Sequence, residues 1–544
     1  MRTRDKERLL TEVTSRLEQE LNPLSIERLQ ENLASSVYHE LYRLRHDSGP
    51  DERREGTPFW KGVRDDLGRA GERELRGHHK RIVKRYSEEI CGNFDERIYG
   101  VATRIAPKAL GLIANPISPL KLLGGVNSLP GFDDALVVQG CVEKIRRLKE
   151  RGTLIFLPQH VSNMDSLVLG YAIYRLGLPP VIYGAGLNLF SNPLVGFFMH
   201  NLGAYTVDRR KRDPLYKRVL KEYATMTLEL GYDNLFFPGG TRSRSGAIER
   251  YLKLGLAGVG VRSYVNNLRN GRASPNIYFV PVTLSFQLVL EAETLIDDFL
   301  KEVGKSRYII TDDEFSQASR IYDFMTQLMR LDSKVFATFS EPMDPFGNYV
   351  DENGESVDPR GRQVDPSKYV LWKGEYQTLA ARDREYTRDV ADKVKKAFTV
   401  DNVVQSTHVV ARAMMDLFRK ANPKLDLIRL LRMGGMTSDF PISDLLKELD
   451  TLMSQLRALE MSSRIRLSDD ILNASTDDIW TDAARHFQTY HQEPVLTRRG
   501  DRVFVNSRAL LFYYQNRLEG YGLEAWSGLT PGLDKWHRNV WRGE

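Results

Sequence analysis

The chain has 544 residues, 41% hydrophobic and 28% charged, with 78 Lys and Arg against 72 Asp and Glu for a net charge of +6. This composition excludes a disordered tail or a fibre and allows a sizeable core in several domains. So weak a positive bias over so long a chain excludes a general nucleic-acid binder but is compatible with attraction to anionic lipid or phosphate-bearing partners.

The first residues, Met1-Arg-Thr-Arg-Asp-Lys-Glu-Arg-Leu-Leu10, mix both charge signs and lack the apolar core of an export signal. Leu9, Val13, Leu17 and Leu21 then recur at helical spacing, and residues 1–131 are expected to form a helical N-terminal region. A polar break at His46–Thr57 interrupts it, and a basic run, Lys80, Arg81, Lys84 and Arg85, leads into an apolar stretch at 105–123. That stretch is cut by Pro107, Pro116, Pro119 and Lys121, and the similar one at 187–207 by Asn188, Asn192, Pro193 and His200. Neither supplies the roughly 18–20 uninterrupted apolar residues that span a bilayer. Two cysteines, Cys91 and Cys141, exclude a disulfide scaffold and a Cys-rich metal site and fit a reducing, cytoplasmic setting. If the protein works at a membrane, it is expected to lie on it as a peripheral protein.

From residue 132 the texture changes to short apolar strands alternating with helices, the mark of an α/β domain with a sheet flanked by helices, expected over 132–343. Strands are expected at 153–157, 181–183, 203–207, 234–237 and 278–282, with helices through Val142, Ile145 and Leu148, over 165–176, and from Pro214 to Leu230. Residues 344–382 repeat Val-Asp and turn pairs and read as an extended, hairpin-like insertion. Residues 383–544 read as a mainly helical C-terminal region, with a strand at Arg502–Val505 and a helix over Leu510–Leu518.

Four segments of the α/β region carry chemistry at strand ends. His160-Val-Ser-Asn-Met-Asp165 follows the strand at 153–157. Residues five apart on a helix lie about 140° apart, so the pair meets only if His160 lies in the turn and Asp165 in the first turns of the helix, with Ser162 or Asn163 available as caps. His46 and Asp51 share the spacing without an apolar strand before them, and read as a solvated loop. Gly203-Ala-Tyr-Thr-Val-Asp-Arg-Arg-Lys-Arg212 delivers Arg209 as its first cation after a strand, and a guanidinium grips phosphate well; Lys211 and Arg212 read as a solvated turn. In Leu235-Phe-Phe-Pro-Gly-Gly-Thr-Arg-Ser-Arg-Ser-Gly246 two glycines free the backbone beside Arg242 and Arg244, with Gly239, Gly240, Thr241 and Ser243 as a supporting loop. Tyr278–Phe286 is an apolar strand in which Pro281 is expected to shape a pocket wall.

These four segments, His160-x4-Asp165, Gly203–Arg209, Phe237–Ser243 and Val280-Pro-Val282, resemble in order the four motifs of the glycerolipid acyltransferase superfamily. Residues 282–291 and 509–517 look like the larger glycerol-3-phosphate acyltransferases. The resemblance implies a mixed sheet flanked by helices, with helical N- and C-terminal regions. It implies His160 as general base on a glycerol hydroxyl, Asp165 as the group that orients it, and Arg209, Arg242 and Arg244 as holders of the acceptor phosphate. The implied co-substrate is acyl-CoA or acyl-carrier protein, the acceptor is glycerol-3-phosphate, and neither a metal nor another cofactor is expected.

Two departures bear on the acceptor. Gly239 stands where the third motif usually has a glutamate, and the second motif ends Val-Asp-Arg, closer to 1-acylglycerol-3-phosphate acyltransferases, whereas chain length and the C-terminal region favour the glycerol-3-phosphate branch. A 1-acylglycerol-3-phosphate acyltransferase is therefore the alternative within the class, and a phospholipid- or phosphate-binding protein on the same scaffold the non-enzymatic one. The chain has no Gly-x-Ser-x-Gly elbow and no Gly-x4-Gly-Lys-Ser/Thr loop, and both Gly184-Ala-Gly186 and Gly258-Val-Gly260 lack the third glycine of a dinucleotide fingerprint.

Overall fold

The computed structural model describes residues 3–100, 135–187, 201–303, 333–425, 427–433 and 439–523. Four helices open the chain: α1 (Thr3–Gln19), α2 (Ile26–His46), α3 (Pro50–Leu67) and α4 (Glu72–Ile90). Their leucine spacing predicts one buried face, and Leu9, Val13, Leu17 and Leu21 are each at most 2% exposed. His46 ends α2, exposed and stacked on Tyr42, while the exposed Asp51 begins α3. The expected solvated loop is thus two helix termini, because Gly49 and Pro50 start α3 directly.

The centre is a seven-stranded sheet. Its elements are β1 (Leu136–Gly140), α5 (Val142–Lys149), β2 (Gly152–Pro158), α6 (Asp165–Arg175), β3 (Ile182–Gly186), β4 (Ala204–Val207), α7 (Pro214–Glu229), β5 (Asn234–Leu235), α8 (Val259–Arg269), β6 (Asn276–Phe286), α9 (Ala292–Val303) and β7 (Val335–Phe339). The strand order is β1-β7-β6-β2-β5-β3-β4. β2 to β6 are mutually parallel, and β7 pairs antiparallel with β6, so the sheet is mixed. The parallel part requires helical crossovers, and their apolar faces bury both sides of β2, where Leu154, Ile155, Phe156 and Leu157 are at most 1% exposed.

Strand limits differ from expectation where burial and not pattern decides them. β3 starts one residue late and runs through Gly184 to Gly186, β5 has only two paired residues, and β6 extends ten residues beyond Asn276. Pro281 sits within β6, opposite Leu157 on the β2 side. It is tolerated because the β7 side is irregular there: Phe279 bridges Met343, regular pairing with β7 begins at Val282, and Pro281 only accepts, from the Ser340 N–H at 2.9 Å.

Two apolar clusters hold the molecule. One joins α1–α4 to α7 and to Ile182 and Tyr205 of the sheet. The other joins the sheet to the C-terminal helices α10 (Ala380–Val400), α11 (Ser406–Ala421), α12 (Ile442–Met461), α13 (Thr476–Thr489) and α14 (Arg508–Gln515). Between them, residues 344–376 form short two-residue strands, anchored by the buried Asp344, whose carboxylate accepts from the Phe346 and Asn348 amides and the Ser356 hydroxyl. The helix expected over 510–518 is α14 followed by a 3-10 turn at Asn516–Leu518. The stretch 105–123, and 188–200 of the second apolar stretch, lie outside the described residues. Among the described residues no helix is long and apolar enough to cross a membrane.

Candidate active site

The parallel strands β2, β4 and β5 all end on one edge of the sheet, and the loops that leave them carry His160, Arg209 and Arg242. Pro158 is the last residue of β2, so the chain turns before α6 begins at Asp165. That turn closes the gap a helix would leave between positions five apart: His160 Nδ1 lies 2.8 Å from Asp165 Oδ2. The same oxygen accepts from the Val161 and Ser162 amides at 2.7 and 3.0 Å. Asp165, fully buried, therefore folds back over the turn that precedes its own helix, and the Ser162 hydroxyl accepts from the Met164 amide at 3.1 Å where α6 begins.

Ser162 and Asn163 serve a different carboxylate. The Ser162 hydroxyl and the Asn163 amide donate to the two oxygens of Glu291, both at 2.8 Å. Glu291 is fully buried and also lies 3.4 Å from Arg242 Nη1, so it links the His160 turn to the loop after β5. Sequence inspection placed Glu291 only at the end of a resemblance; its role arises from a contact across 129 positions.

With Nδ1 facing Asp165, the imidazole presents Nε2 away from the carboxylate, and its side chain is 16% exposed. The ring stacks on Phe237, centroids 4.1 Å apart. Burial lowers the imidazole pKa below 6.5, Asp165 raises it, and Arg242 and Arg209 lower it. The ring is thus neutral near pH 7, with Nδ1–H donated and Nε2 able to accept a proton.

Arg242 and Arg209 act on His160, and Lys253 acts with Arg209 beside them. Arg209 leaves β4 exposed, and burial of its guanidinium and the nearby Arg242 both lower its pKa. Lys253 lies over Gly240, where an added Cβ would stand 3.1 Å from Nζ, and Arg209 acts on Lys253 in turn. Like charges gathered at a strand-end edge raise the local positive potential and can attract an anion. Lys253 has no motif in the sequence; it reaches the site because its amide binds the Pro238 carbonyl.

The remaining expected residues separate by position. Thr241, Arg242, Ser243 and Arg244 line a groove with Gly239, Glu249 and Tyr251, but Arg244 turns to Glu302 at 2.7 Å. Gly240, with φ +75°, makes the tight turn, its amide donating to the Phe237 carbonyl, and the Ser243 amide donates to the His160 carbonyl at 2.9 Å. Those two amides hold the loop and are unavailable to a bound oxyanion. Pro281 is buried in the sheet and does not line the groove. Lys211, expected in a solvated turn, is buried between Glu40 at 3.1 Å and Glu89 at 2.7 Å, because α2 and α4 cover that turn. Arg210 pairs with Asp208 and Glu52, which leaves Arg209 as the cation of this run directed at the site.

Residues 140–285 match the family model described as Acyltransferase. This part of the chain is an acyltransferase domain, and its motifs are similar to those of the glycerolipid acyltransferase superfamily. Proteins named glycerol-3-phosphate acyltransferase from Ectopseudomonas mendocina and Pseudomonas fluorescens are 32% and 30% identical to this chain over 203 residues, 37% of its length. The match covers 23% and 22% of those relatives' own lengths, so it is a likeness of the acyltransferase domain and not of the whole proteins. The three strand-end loops that build the site, after β2, β4 and β5, fall within the matched residues, whereas Glu291 and the helical N- and C-terminal regions lie beyond them.

Proposed function

We propose that the protein transfers an acyl group from a thioester, acyl-CoA or acyl-carrier protein, to a hydroxyl of glycerol-3-phosphate at the membrane surface. The observation that carries this reading is the 2.8 Å contact between His160 Nδ1 and Asp165 Oδ2 beside the cluster of Arg209, Arg242 and Lys253. His160 Nε2 takes the hydroxyl proton as the acceptor oxygen attacks the thioester carbon. The C–O bond forms, the C–S bond breaks, and the leaving thiolate takes the proton back from the imidazolium, which Asp165 stabilises meanwhile. The cations hold the phosphate and so fix the hydroxyl's distance from the base, a contribution of proximity and not of chemistry. The names of the relatives from Ectopseudomonas and Pseudomonas support glycerol-3-phosphate as acceptor. The mild positive charge of the chain favours contact with an anionic lipid surface, where the product would accumulate.

A base and its orienting carboxylate are of no use to a phosphate- or lipid-binding protein, and this pair speaks against the non-enzymatic alternative. Purified protein given an acyl thioester with glycerol-3-phosphate or its 1-acyl derivative, with products identified by mass, separates the two acceptors. His160→Ala is expected to lower kcat by about 10³-fold or more with an unchanged melting curve. Turnover equal to the wild type would remove His160 from the mechanism.

A further inference from the structure

The loop after β5 has glycine at 239, yet the space beside that glycine holds a carboxylate. A Cβ added to Gly239 would stand 2.6 Å from the Glu249 carboxyl carbon and 2.6 and 2.7 Å from its two oxygens. Glu249, ten positions further along, thus occupies the room that a side chain at 239 would take. The Gly239 backbone is not left-handed, unlike Gly240 with φ +75°, so its torsion angles would accept an L residue. Space, and not backbone conformation, is what glycine provides at 239.

Glu249 Oε1 accepts from the His160 amide at 3.1 Å. Oε2 is buried without a hydrogen-bond partner among the described residues, a costly condition for a carboxyl oxygen. Glu249 and Gly239 line the same groove as Thr241 and Arg242. The charges that act on Glu249 are Asp165, of like sign, and Arg517, of opposite sign, and burial raises its pKa to about 8. Its protonated form can therefore both accept from His160 and donate to a ligand oxygen.

We propose that Glu249 is an acceptor-binding residue of this site, its Oε1 holding the His160 main chain and its Oε2 engaging a hydroxyl of the polyol phosphate, in the place otherwise served by a side chain at position 239. The proposal rests on the acyl-transfer reading. It makes positions 239 and 249 exchangeable as the source of one carboxyl group, but not fillable together.

The test compares the full-length wild type, Glu249→Ala, Gly239→Glu and the double variant Glu249→Ala/Gly239→Glu, with glycerol-3-phosphate as the probe in calorimetric binding and in steady-state kinetics. Glu249→Ala is expected to weaken glycerol-3-phosphate binding and raise its KM by about tenfold to a hundredfold, the loss of one hydrogen bond to a charged or strongly polar group. Gly239→Glu alone is expected to lose binding as well, since two carboxyl groups cannot share the space. The double variant is expected to recover most of the loss. Were Glu249→Ala to misfold, the double variant, which returns the group, still provides the comparison. A double variant no better than Glu249→Ala, or an unchanged KM in Glu249→Ala, overturns the proposal. Wild type that binds glycerol-3-phosphate without turnover overturns the acyl-transfer reading while binding still decides on Glu249; wild type that neither binds nor turns it over overturns both.

Discussion

Asp165 does three things with one oxygen: Oδ2 receives the His160 ring and the amides of Val161 and Ser162. An amide side chain can replace the shape but not the charge. Asp165→Asn is therefore expected to keep the turn and lower kcat by about 10³ to 10⁴-fold, because the imidazole loses both its fixed tautomer and the carboxylate that stabilises the imidazolium. The pH dependence carries a sign. Burial sets the His160 pKa below 6.5 and Asp165 opposes that, so the acid limb of the wild-type profile should lie below pH 6.5, where His160 takes a proton. Removing Asp165's charge takes away a raising influence, and the midpoint of this limb in Asp165→Asn should move further down. A kcat/KM profile of the two proteins from pH 5 to 9 checks both; a limb that moves up contradicts the assigned roles.

At the scale of elements, α2 and α4 decide the shape of the loop that delivers Arg209. Lys211 joins Glu40 of α2 to Glu89 of α4. The next anchor, Asp213, accepts from the Tyr86 hydroxyl at 2.7 Å, the Ser36 hydroxyl at 3.1 Å and the Leu215 amide at 3.0 Å. The helical preface is thereby a clamp on the β4–α7 loop. Lys211→Met would strand the buried Glu40 carboxylate, while the exposed Glu89 keeps access to solvent. Breaking a buried pair costs about 3–5 kcal/mol, and the lower end is expected because Arg43 remains bound to Glu40 at 2.8 Å. Chemical denaturation measures the loss. The glycerol-3-phosphate KM should rise with it as Arg209 is released, while kcat falls less; a stability loss with no change in KM would separate the clamp from the site.

Across the whole molecule, the C-terminal region reaches under the catalytic edge through Arg517. Its buried guanidinium donates to Gln159 Oε1 at 2.8 Å, to Asn402 Oδ1 at 2.6 Å and to the Leu284 carbonyl, and it acts on both Glu249 and Asp165. Asn516 donates to the Ser245 carbonyl at 2.8 Å, and a Cβ on Gly246 would stand 2.2 Å from the Tyr513 carbonyl oxygen. Residues 513–517 are thus part of the floor of the groove loop. Arg517→Leu should destabilise the protein by about 1–3 kcal/mol for each buried acceptor it strands, read as a lower melting temperature. Because the same change removes the positive neighbour of two carboxyl groups, activity should fall more than folding alone accounts for. A variant that melts early but retains full kcat below its melting temperature would confine Arg517 to a structural part.

The alternation of strand and helix, the leucine spacing of α1 and the strand-end placement of His160, Arg209 and Arg242 were legible in the sequence, since each depends on residues close in the chain. The pairing of His160 with Asp165 was legible for the same reason: a proline-ended strand followed by a helix start admits one geometry. Strand lengths were less so, because the two-residue β5 and the long β6 are set by neighbours in the sheet. Lys211 read as solvated and is buried, Pro281 read as a pocket wall and lies in the sheet, Glu291 and Arg517 stood only at the ends of resembling segments with no contact to read from them, and Lys253 carried no local signal. By itself the sequence determined that this chain carries an acyltransferase motif set with a histidine and an aspartate at the mouth of a sheet. Only the tertiary structure decided which groups surround that pair, because the Glu249 carboxyl group comes to lie beside Gly239 once the chain has folded back on itself, and its burial there raises its pKa to about 8.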